Sequence, residues 1–171
     1  MSENLSAASP AHQVVIEPAH YRQVLGHFPT GVTVVTASSG NSPVGLAVGS
    51  FSSISLDPPL VGFFADKGSS SWPRIRETGA FCVNILAGDQ EEVCRVFASK
   101  GDDKFAGIGW QRASTGSPRL DGVLAWIDCE IDSVVELGDH DLCVGRVVEL
   151  AVGHEGAPLV FFRGGYRNLQ S

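Results

Sequence analysis

The chain has 171 residues, of which 43% are hydrophobic and 18% are charged, and its formal net charge is −7. A chain of this length and balance is expected to form one domain with a sizeable core, which excludes wholesale disorder. The acidic charge disfavours nucleic acid and anionic membranes as partners, because both require a basic surface, but it leaves room for a local phosphate site.

The chain opens with a segment that predicts a tail, followed by a short helix and a hairpin. Residues 1–16 are small and polar, so we expect a mobile tail there and a single domain over residues 17–171. Apolar residues next recur at the spacing of one helical face, namely Tyr21, Val24, Leu25 and Phe28. The β-branched run 32–37, the turn 38–43 and the run 44–48 then predict a β-hairpin.

Two strands and two helices are predicted in the middle of the chain. The apolar runs 59–65 and 80–86 indicate buried strands. Between them, residues 71–79 have the pattern of a short helix whose first serine is the N-cap. A longer helix is predicted over residues 89–100, where two acidic residues three positions apart form a capping-box pattern.

The last third of the chain has the clearest β pattern. Between residues 127 and 132, apolar and acidic residues alternate, which predicts a strand whose acidic face is in solvent. A long apolar run over residues 142–152 and a short one over residues 158–162 predict two further strands. Strands of this spacing with only brief helices predict a mainly β fold, an antiparallel barrel that is closed or nearly closed.

The four cysteines are far apart in the sequence, and three of them stand within apolar runs. No C-x-x-C pair and no histidine at ligand spacing accompanies them, which disfavours a metal site and favours buried free thiols in a reducing compartment. The chain shows neither a secretory signal pattern nor an apolar stretch of membrane-spanning length. These features predict a cytoplasmic protein with no membrane partner.

Two serine-rich segments are candidates for a phosphate site. Residues 49–59 carry four serines between two predicted strands, and Lys67 precedes the cluster 69–71. Hydroxyls, loop amides and an ammonium group are the donors that a phosphate monoester needs, and loops at the same end of adjacent strands can converge. Each cluster alone is also explained by turn and cap chemistry, so both interpretations stay open. The sequence contains no phosphate-binding loop and no dinucleotide fingerprint.

His140 stands in a polar connection, between Asp139 and Asp141, where loops commonly carry function. Its alternative interpretation is an exposed turn histidine, and no hydrolytic motif accompanies it. Arg163 and Tyr166 follow the last predicted strand. They indicate either a terminating turn or a cation and an aromatic ring for a planar, phosphorylated ligand.

Several segments of the chain occur together in an order typical of one protein family. They are FPTGVTVVT at 28–36, GSFSSISLDPPL at 49–60, FCVNIL at 81–86, GDH at 138–140, and PLV with GGY within 158–166. In this order they resemble the short-chain flavin reductases that serve two-component flavin-dependent monooxygenases. The resemblance implies an FMN-binding split barrel, a Greek-key antiparallel barrel with a few short helices, that forms a homodimer with flavin sites near the subunit interface.

The resemblance also implies an activity and a set of binding residues. NADH or NADPH would reduce FMN, with FAD as an alternative, and the reduced flavin would pass to a partner monooxygenase. Pro29, Thr30, Ala47, Val48, Gly49 and Ser50 would border the flavin ring, Ser52, Ser53, Lys67 and Ser69 would approach the phosphate, and Phe81 and Asn84 would lie beside the sugar or ring. His140 would orient the nicotinamide nucleotide, with Arg163 and Tyr166 also receiving it.

Two alternative functions stay open at this stage. A split barrel could store or sense FMN without turnover, or it could be a related FMN-dependent oxidase that acts directly on a small substrate. The GDH segment favours the reductase, because a flavin store does not need a nicotinamide platform. No basic pocket for a 2′-phosphate is readable in the sequence, which favours NADH over NADPH.

Overall fold

The computed structural model describes residues 15–40, 42–101 and 103–169. Within these ranges the chain forms three helices, α1 Pro18–Leu25, α2 Trp72–Thr78 and α3 Glu91–Ala98. It also forms twelve strands there: β1 Thr30–Gly31, β2 Thr33–Ser39, β3 Ser42–Val48, β4 Ser52–Leu56, β5 Pro59–Asp66, β6 Ala80–Ile85, β7 Trp110–Arg112, β8 Pro118–Leu120, β9 Ala125–Leu137, β10 His140–Val152, β11 Leu159–Phe162 and β12 Gly165–Asn168. The predicted tail lies outside the described residues except for its last two. Among the described helices, none has the length and apolar character required to cross a membrane.

Most strands belong to one curved antiparallel sheet. Seven strands pair in the order β3-β2-β6-β9-β10-β5-β4, and β1-β11-β12 and β7-β8 form two small sheets beside it. The sheet curls so that the end of β3 meets β5. There the hydroxyl of Ser50 accepts a hydrogen bond from the backbone amide of Phe64 at 3.0 Å and donates one to its carbonyl at 3.1 Å. The predicted mainly β split barrel is confirmed.

Alternation along the central strands builds two hydrophobic cores, one on each face of the sheet. Neighbouring residues of β2, Val34 and Val35, belong to different cores, as do Phe81 and Cys82 of β6. This division follows from the two-residue period of a strand. Inside the barrel, the rings of Phe63 and Phe81 pack edge to face with centroids 5.2 Å apart. All four cysteines are buried and unpaired, as their sequence context predicted.

The first serine-rich segment is in part a strand, which corrects the prediction of a loop over residues 49–59. Residues 52–56 form the edge strand β4, which pairs with β5 through a register shift between Ser53 and Ser55. Pairing with β5 satisfies the backbone of this segment, and this tertiary contact overrides the turn preference of serine. The hydroxyls of Ser52 and Ser53 consequently lie on an exposed strand rather than in a bend.

Helix α2 is confirmed, but its predicted cap is not. Ser71 is the N-cap residue, yet its side chain makes no capping hydrogen bond. The hydroxyl of Ser69 accepts hydrogen bonds from the backbone amides of Ser71 and Trp72 instead, at 3.3 and 3.4 Å. Ser69, two residues before the N-cap residue, therefore supplies the side-chain hydrogen bonds at the start of the helix.

Helix α3 is shorter than the predicted 89–100, and the capping box expected from Asp89 and Glu92 does not form. The N-cap residue is Gln90, and it makes no side-chain bond to the helix. Its amide oxygen accepts a hydrogen bond from the backbone amide of Ala87 at 3.0 Å, which ties the helix start to the preceding loop. The N-cap therefore lies one residue later than Asp89 would place it.

The acidic face predicted for β9 is not uniformly in solvent. Asp128 is fully buried, whereas Glu130 and Asp132 are exposed. The loop before β8 covers Asp128, and its carboxylate accepts hydrogen bonds from the amide and hydroxyl of Thr115, both at 2.7 Å. Burial raises the pKa of Asp128 above its usual value. Alternation alone could not predict this covering loop.

The apolar face predicted for the first helix is present on α1 but does not pack on the barrel. Tyr21, Val24 and Leu25 are each about half exposed, at 55%, 53% and 50%. Phe28 lies beyond the end of the helix and is 71% exposed. These side chains form an apolar surface on the described chain.

Candidate functional site

A cavity of about 690 Å³ lies beside the end of β3. It is bounded by residues 46–50, by Phe64 and Asp66 with residues 68–70, by residues 97–100 with Lys104, and by His140. These segments are far apart in the sequence, and the curling of the large sheet brings them together. Another cavity, of about 570 Å³ around Asp121 and His154, contains none of the predicted site residues.

Small residues form the wall of the larger cavity on the side of β3. A Cβ atom at Gly49 would lie 3.1 Å from the hydroxyl oxygen of Thr30, so glycine allows a close approach there. The hydroxyl of Thr33 donates to the carbonyl of Val48 at 2.9 Å, and Ser50 is bonded to β5. Hydrogen bonds at Val48 and Ser50 therefore hold this wall in place.

The opposite wall is polar and carries two lysines. Ser69 and Ser70 follow β5, and Lys100 and Lys104 follow α3. Lys104 is only 7% exposed, and its ammonium group donates to the carbonyl of Phe97 at 3.0 Å. Neither lysine of this wall was expected at the site from the sequence. Polar residues after a helix are usually solvated, and the sequence contains no signal that Lys104 is buried.

His140 lies at the rim of the larger cavity. It is the first residue of β10, where it pairs with Leu137 of β9 and Asp66 of β5. Its ring Nδ1 lies 2.7 Å from a carboxylate oxygen of Asp139. The hydrogen bond from His140 lowers the pKa of Asp139 below its usual value. One ring nitrogen is thereby held by a carboxylate, which restricts the orientation of the imidazole.

A smaller, mostly apolar cavity of about 180 Å³ adjoins the larger one, since residues 47–49 and Ala98 line both. Thr30 and Tyr166 border it. The phenolic oxygen of Tyr166 is 3.2 Å from the sulfur of Cys94, which also lines this cavity. Burial, assisted by this hydrogen bond, raises the pKa of Tyr166 to about 12, so the phenol stays protonated in neutral solution.

Residues 25–170 match the family described as the flavin reductase like domain. The chain belongs to this family. A flavin reductase of Pseudomonas putida is 51% identical to this reductase over 152 residues, which cover 88% of this chain and 89% of that protein. A reductase subunit of a flavin-dependent monooxygenase from Rhodococcus jostii is 48% identical over 155 residues, covering 91% of this chain and 80% of that one.

Solved structures agree with this membership. The crystal structure of nitrilotriacetate monooxygenase component B from Mycobacterium thermoresistibile matches the reductase with a TM-score of 0.86 and 45% identity, covering 89% of this chain and 86% of that chain. An NADH:FAD oxidoreductase of Streptomyces globisporus, in complex with NAD and FAD fragments, matches with a TM-score of 0.85 and 33% identity, covering 92% and 97%. The resemblance inferred from the motifs is confirmed, and the chain is a flavin reductase.

The structure of the reductase brings together about half of the residues expected at its site. Six of them line the larger cavity: Ala47, Val48, Gly49, Ser50, Ser69 and His140. Thr30 and Tyr166 line the smaller cavity. All eight therefore lie around one connected space.

Five of the other expected contacts, from the ring, phosphate and nicotinamide groups, are not among the residues that line the two cavities. The ammonium group of Lys67 bonds to Glu136 at 3.3 Å and to the carbonyl of Gly138 at 3.0 Å, and Lys67 is not among the residues that line the larger cavity. Ser52 and Ser53 lie on β4, and Pro29 is exposed before β1. Arg163 occupies the turn between β11 and β12 with a φ of 51°, and its backbone amide bonds to Gly26.

Phe81 and Asn84 require a correction, because both side chains are fully buried. Phe81 packs inside the barrel against Phe63. Asn84 points to the other core, where its side-chain oxygen accepts a hydrogen bond from the backbone amide of Leu120 at 2.7 Å. Strand β6 carries both residues, and it lies in the middle of the sheet with neighbours on both sides. Neither side chain borders the cavities at the end of β3.

Proposed function

We propose that this reductase uses NADH to reduce FMN and supplies the reduced flavin to a monooxygenase. The observation that carries the proposal is that one cavity joins a wall of small residues, a polar wall with lysines and the rim histidine His140. Its relatives include a reductase subunit and a component of monooxygenases, which supports a monooxygenase as the partner that receives the reduced flavin. Relatives that use NADH support the reductant.

The residues of the larger cavity fit an FMN molecule. Its volume of about 690 Å³ is within the usual range of small-molecule sites, roughly 300–1,000 Å³. The wall formed by residues 47–50 lets a planar ring approach the backbone closely. The hydroxyls of Ser69 and Ser70 with the ammonium of Lys100 supply donors and charge for a phosphate at the other end.

The protein supplies positions rather than a nucleophile for this reaction. When bound, the flavin and the nicotinamide carry the chemistry, which is the transfer of a hydride between two rings. Residues 47–50 would hold the flavin ring from one side, and hydrogen-bond donors beside that ring would stabilise the negative charge that develops on reduction. His140, oriented by Asp139, would hold the nicotinamide at the rim of the cavity, beside the flavin ring to which the hydride is transferred.

The reductase forms a homodimer in this proposal through an exposed apolar surface that we call the outer face. It consists of Ile54, Phe64, Val135 and Leu142. Leu142 of β10 pairs directly with Phe64 of β5 and Val135 of β9, so their side chains point to the same side of the sheet. Ile54, Phe64 and Val135 are 50%, 43% and 47% exposed. Phe64 also lines the larger cavity, which makes the flavin site continuous with the subunit interface.

Steady-state oxidation of NADH in the presence of FMN, FAD or riboflavin tests the proposal. We expect turnover with NADH and FMN, and a lower rate with NADPH. The variant His140→Ala should raise the KM for NADH about tenfold and leave the Kd for FMN within about twofold, because His140 contacts the nicotinamide only.

Stopped-flow mixing of the flavin-loaded protein with NADH separates the proposal from its alternatives. Rapid bleaching of the visible flavin band is expected. A protein that binds FMN but is not bleached is a flavin store, and oxygen uptake that needs an added metabolite but no NADH indicates an oxidase. Equal effects of His140→Ala on NADH and on FMN would remove His140 from the proposed role.

A further inference from the structure

A lysine and a buried carboxylate lie next to the turn that carries His140. Lys67 follows β5, and Asp141 is the residue after His140 on β10. We propose that Lys67 and Asp141 are positioning residues for the nicotinamide site, which act by fixing the turn 138–140 rather than by binding phosphate. This inference rests on the proposed role of His140 in binding NADH.

Lys67 holds the turn at two points. Its backbone amide donates to the carbonyl of Asp139 at 3.1 Å, and its ammonium group donates to the carbonyl of Gly138 at 3.0 Å. Gly138 has a φ of 62°, so the turn depends on a left-handed residue at this point. The same ammonium group lies 3.3 Å from a carboxylate oxygen of Glu136, on the other side of the turn. Lys67 therefore connects the end of β5 to the whole β9–β10 turn.

Asp141 supplies the buried anchor below this turn. Its side chain is 5% exposed, and one oxygen accepts a hydrogen bond from the indole N–H of Trp72 at 2.8 Å. The other oxygen, Oδ1, accepts no hydrogen bond from the described residues, and the Lys67 ammonium lies 3.8 Å from it. A buried carboxylate oxygen without a hydrogen bond depends on a nearby cation, because burial of an uncompensated charge is costly. Arg76 lies 3.7 Å from the opposite oxygen.

The two residues reach His140 through the backbone and through Asp139. Adjacent residues of a strand point to opposite faces, so anchoring Asp141 in the interior fixes His140 toward the rim. The carbonyl of Asp139 is held by Lys67, and the carboxylate of Asp139 is 2.7 Å from the ring of His140. Loss of the Lys67 ammonium leaves the turn with fewer constraints and the buried oxygen of Asp141 without its nearest cation. The imidazole then samples orientations that do not suit the nicotinamide.

The variant Lys67→Met tests this inference against a direct role in flavin binding. We expect its KM for NADH to rise about three- to tenfold, with kcat and the Kd for FMN within about twofold of wild type. Lys67→Arg, which can still donate to the carbonyl of Gly138 and pair with Glu136, should restore most of the loss. Arg146→Met is the matched control. Arg146 of β10 forms an ion pair with Asp132 of β9, and so links the two strands that the turn connects, but far from the turn.

NMR of the His140 ring gives a readout that does not require turnover. With the ring signals assigned by comparison with His140→Ala, Lys67→Met should shift them and Arg146→Met should leave them in place. Should Lys67→Met not accumulate as folded protein, Lys67→Gln keeps a donor to Gly138 while removing the charge and is compared in the same way.

Two results would overturn the inference: weaker FMN binding with an unchanged KM for NADH, or unchanged His140 signals in folded Lys67→Met, or in Lys67→Gln where that variant replaces it. Failure of the wild-type protein to oxidise NADH with any flavin would instead refute the proposed function. In that case the His140 signals still decide whether Lys67 fixes the turn.

Discussion

Asn84 connects three separate pieces of the molecule from a fully buried position. Its side-chain nitrogen lies 3.1 Å from the carbonyl of Val34 and 3.1 Å from the hydroxyl of Thr36, and its oxygen accepts from the amide of Leu120. A polar residue within an apolar run indicates either a ligand contact or such a buried network. The sequence motif around Asn84 favoured the first, and only the register of β6 in the middle of the sheet shows the second.

Replacement of Asn84 by alanine should destabilise the protein without affecting flavin binding. The amide of Leu120 would lose its partner in the core, and we expect the free energy of unfolding to fall by about 2–4 kcal/mol. Urea unfolding measures this change, and a fluorescence titration of the folded variant should give an FMN Kd within about twofold of wild type. Ser53→Ala on the exposed edge strand is the control for stability. An Asn84→Ala protein of normal stability with weak FMN binding would return Asn84 to the site.

Helices and strands were predictable where the pattern of apolar residues along the chain is sufficient to determine the element. The hairpin β2–β3 and the strands β5, β6 and β10 follow from short apolar or alternating runs with turn residues between them. The edge strand β4 was not predictable, because its pairing partner rather than its serine content determines it. The same holds for the buried carboxylate of Asp128, which depends on a loop more than ten residues away in the sequence.

Strand β10 also contains irregularities that arise from packing. A register shift occurs between Val144 and Gly145, next to the buried ring of Phe81. A Cβ atom at Gly145 would lie 2.4 Å from Cζ of Phe81 and 3.0 Å from Cβ of Cys129. A glycine within a strand pattern is a sequence signal for such a close approach, although it does not identify the neighbour.

The variant Gly145→Ala should therefore unfold more easily than wild type. Since the ring of Phe81 is fully enclosed, the added methyl group forces a displacement of the core, and we expect a loss of about 1–3 kcal/mol in the free energy of unfolding. Gly31→Ala is the matched control, because no atom lies within 4 Å of a Cβ at that position. Thermal or urea unfolding of the two variants should differ clearly, and similar stabilities would contradict the packing described for β10.

At the scale of the molecule, the site is assembled from segments that only the barrel brings together. The motifs predicted the wall at residues 47–50 and the rim at His140, because these residues were part of the recognised segments. They could not predict the lysine wall, since the burial of Lys104 depends on how the chain after α3 folds back over the cavity. They associated Lys67 with the phosphate, whereas its ammonium group donates to the turn carbonyl of Gly138 at 3.0 Å.

A substitution in the outer face tests whether the whole molecule forms the proposed dimer. A stable interface buries roughly 1,600 Å² in total and excludes charge from its apolar part, so a lysine within the outer face should prevent association. We expect the wild-type protein to sediment as a dimer and Val135→Lys to sediment as a monomer with at least about tenfold weaker FMN binding, because the flavin cavity adjoins that face. Val96→Lys, on the exposed side of α3, is the control and should remain dimeric with normal FMN affinity. A dimeric Val135→Lys protein would place the interface elsewhere, with the exposed apolar surface of α1 as the next region to substitute.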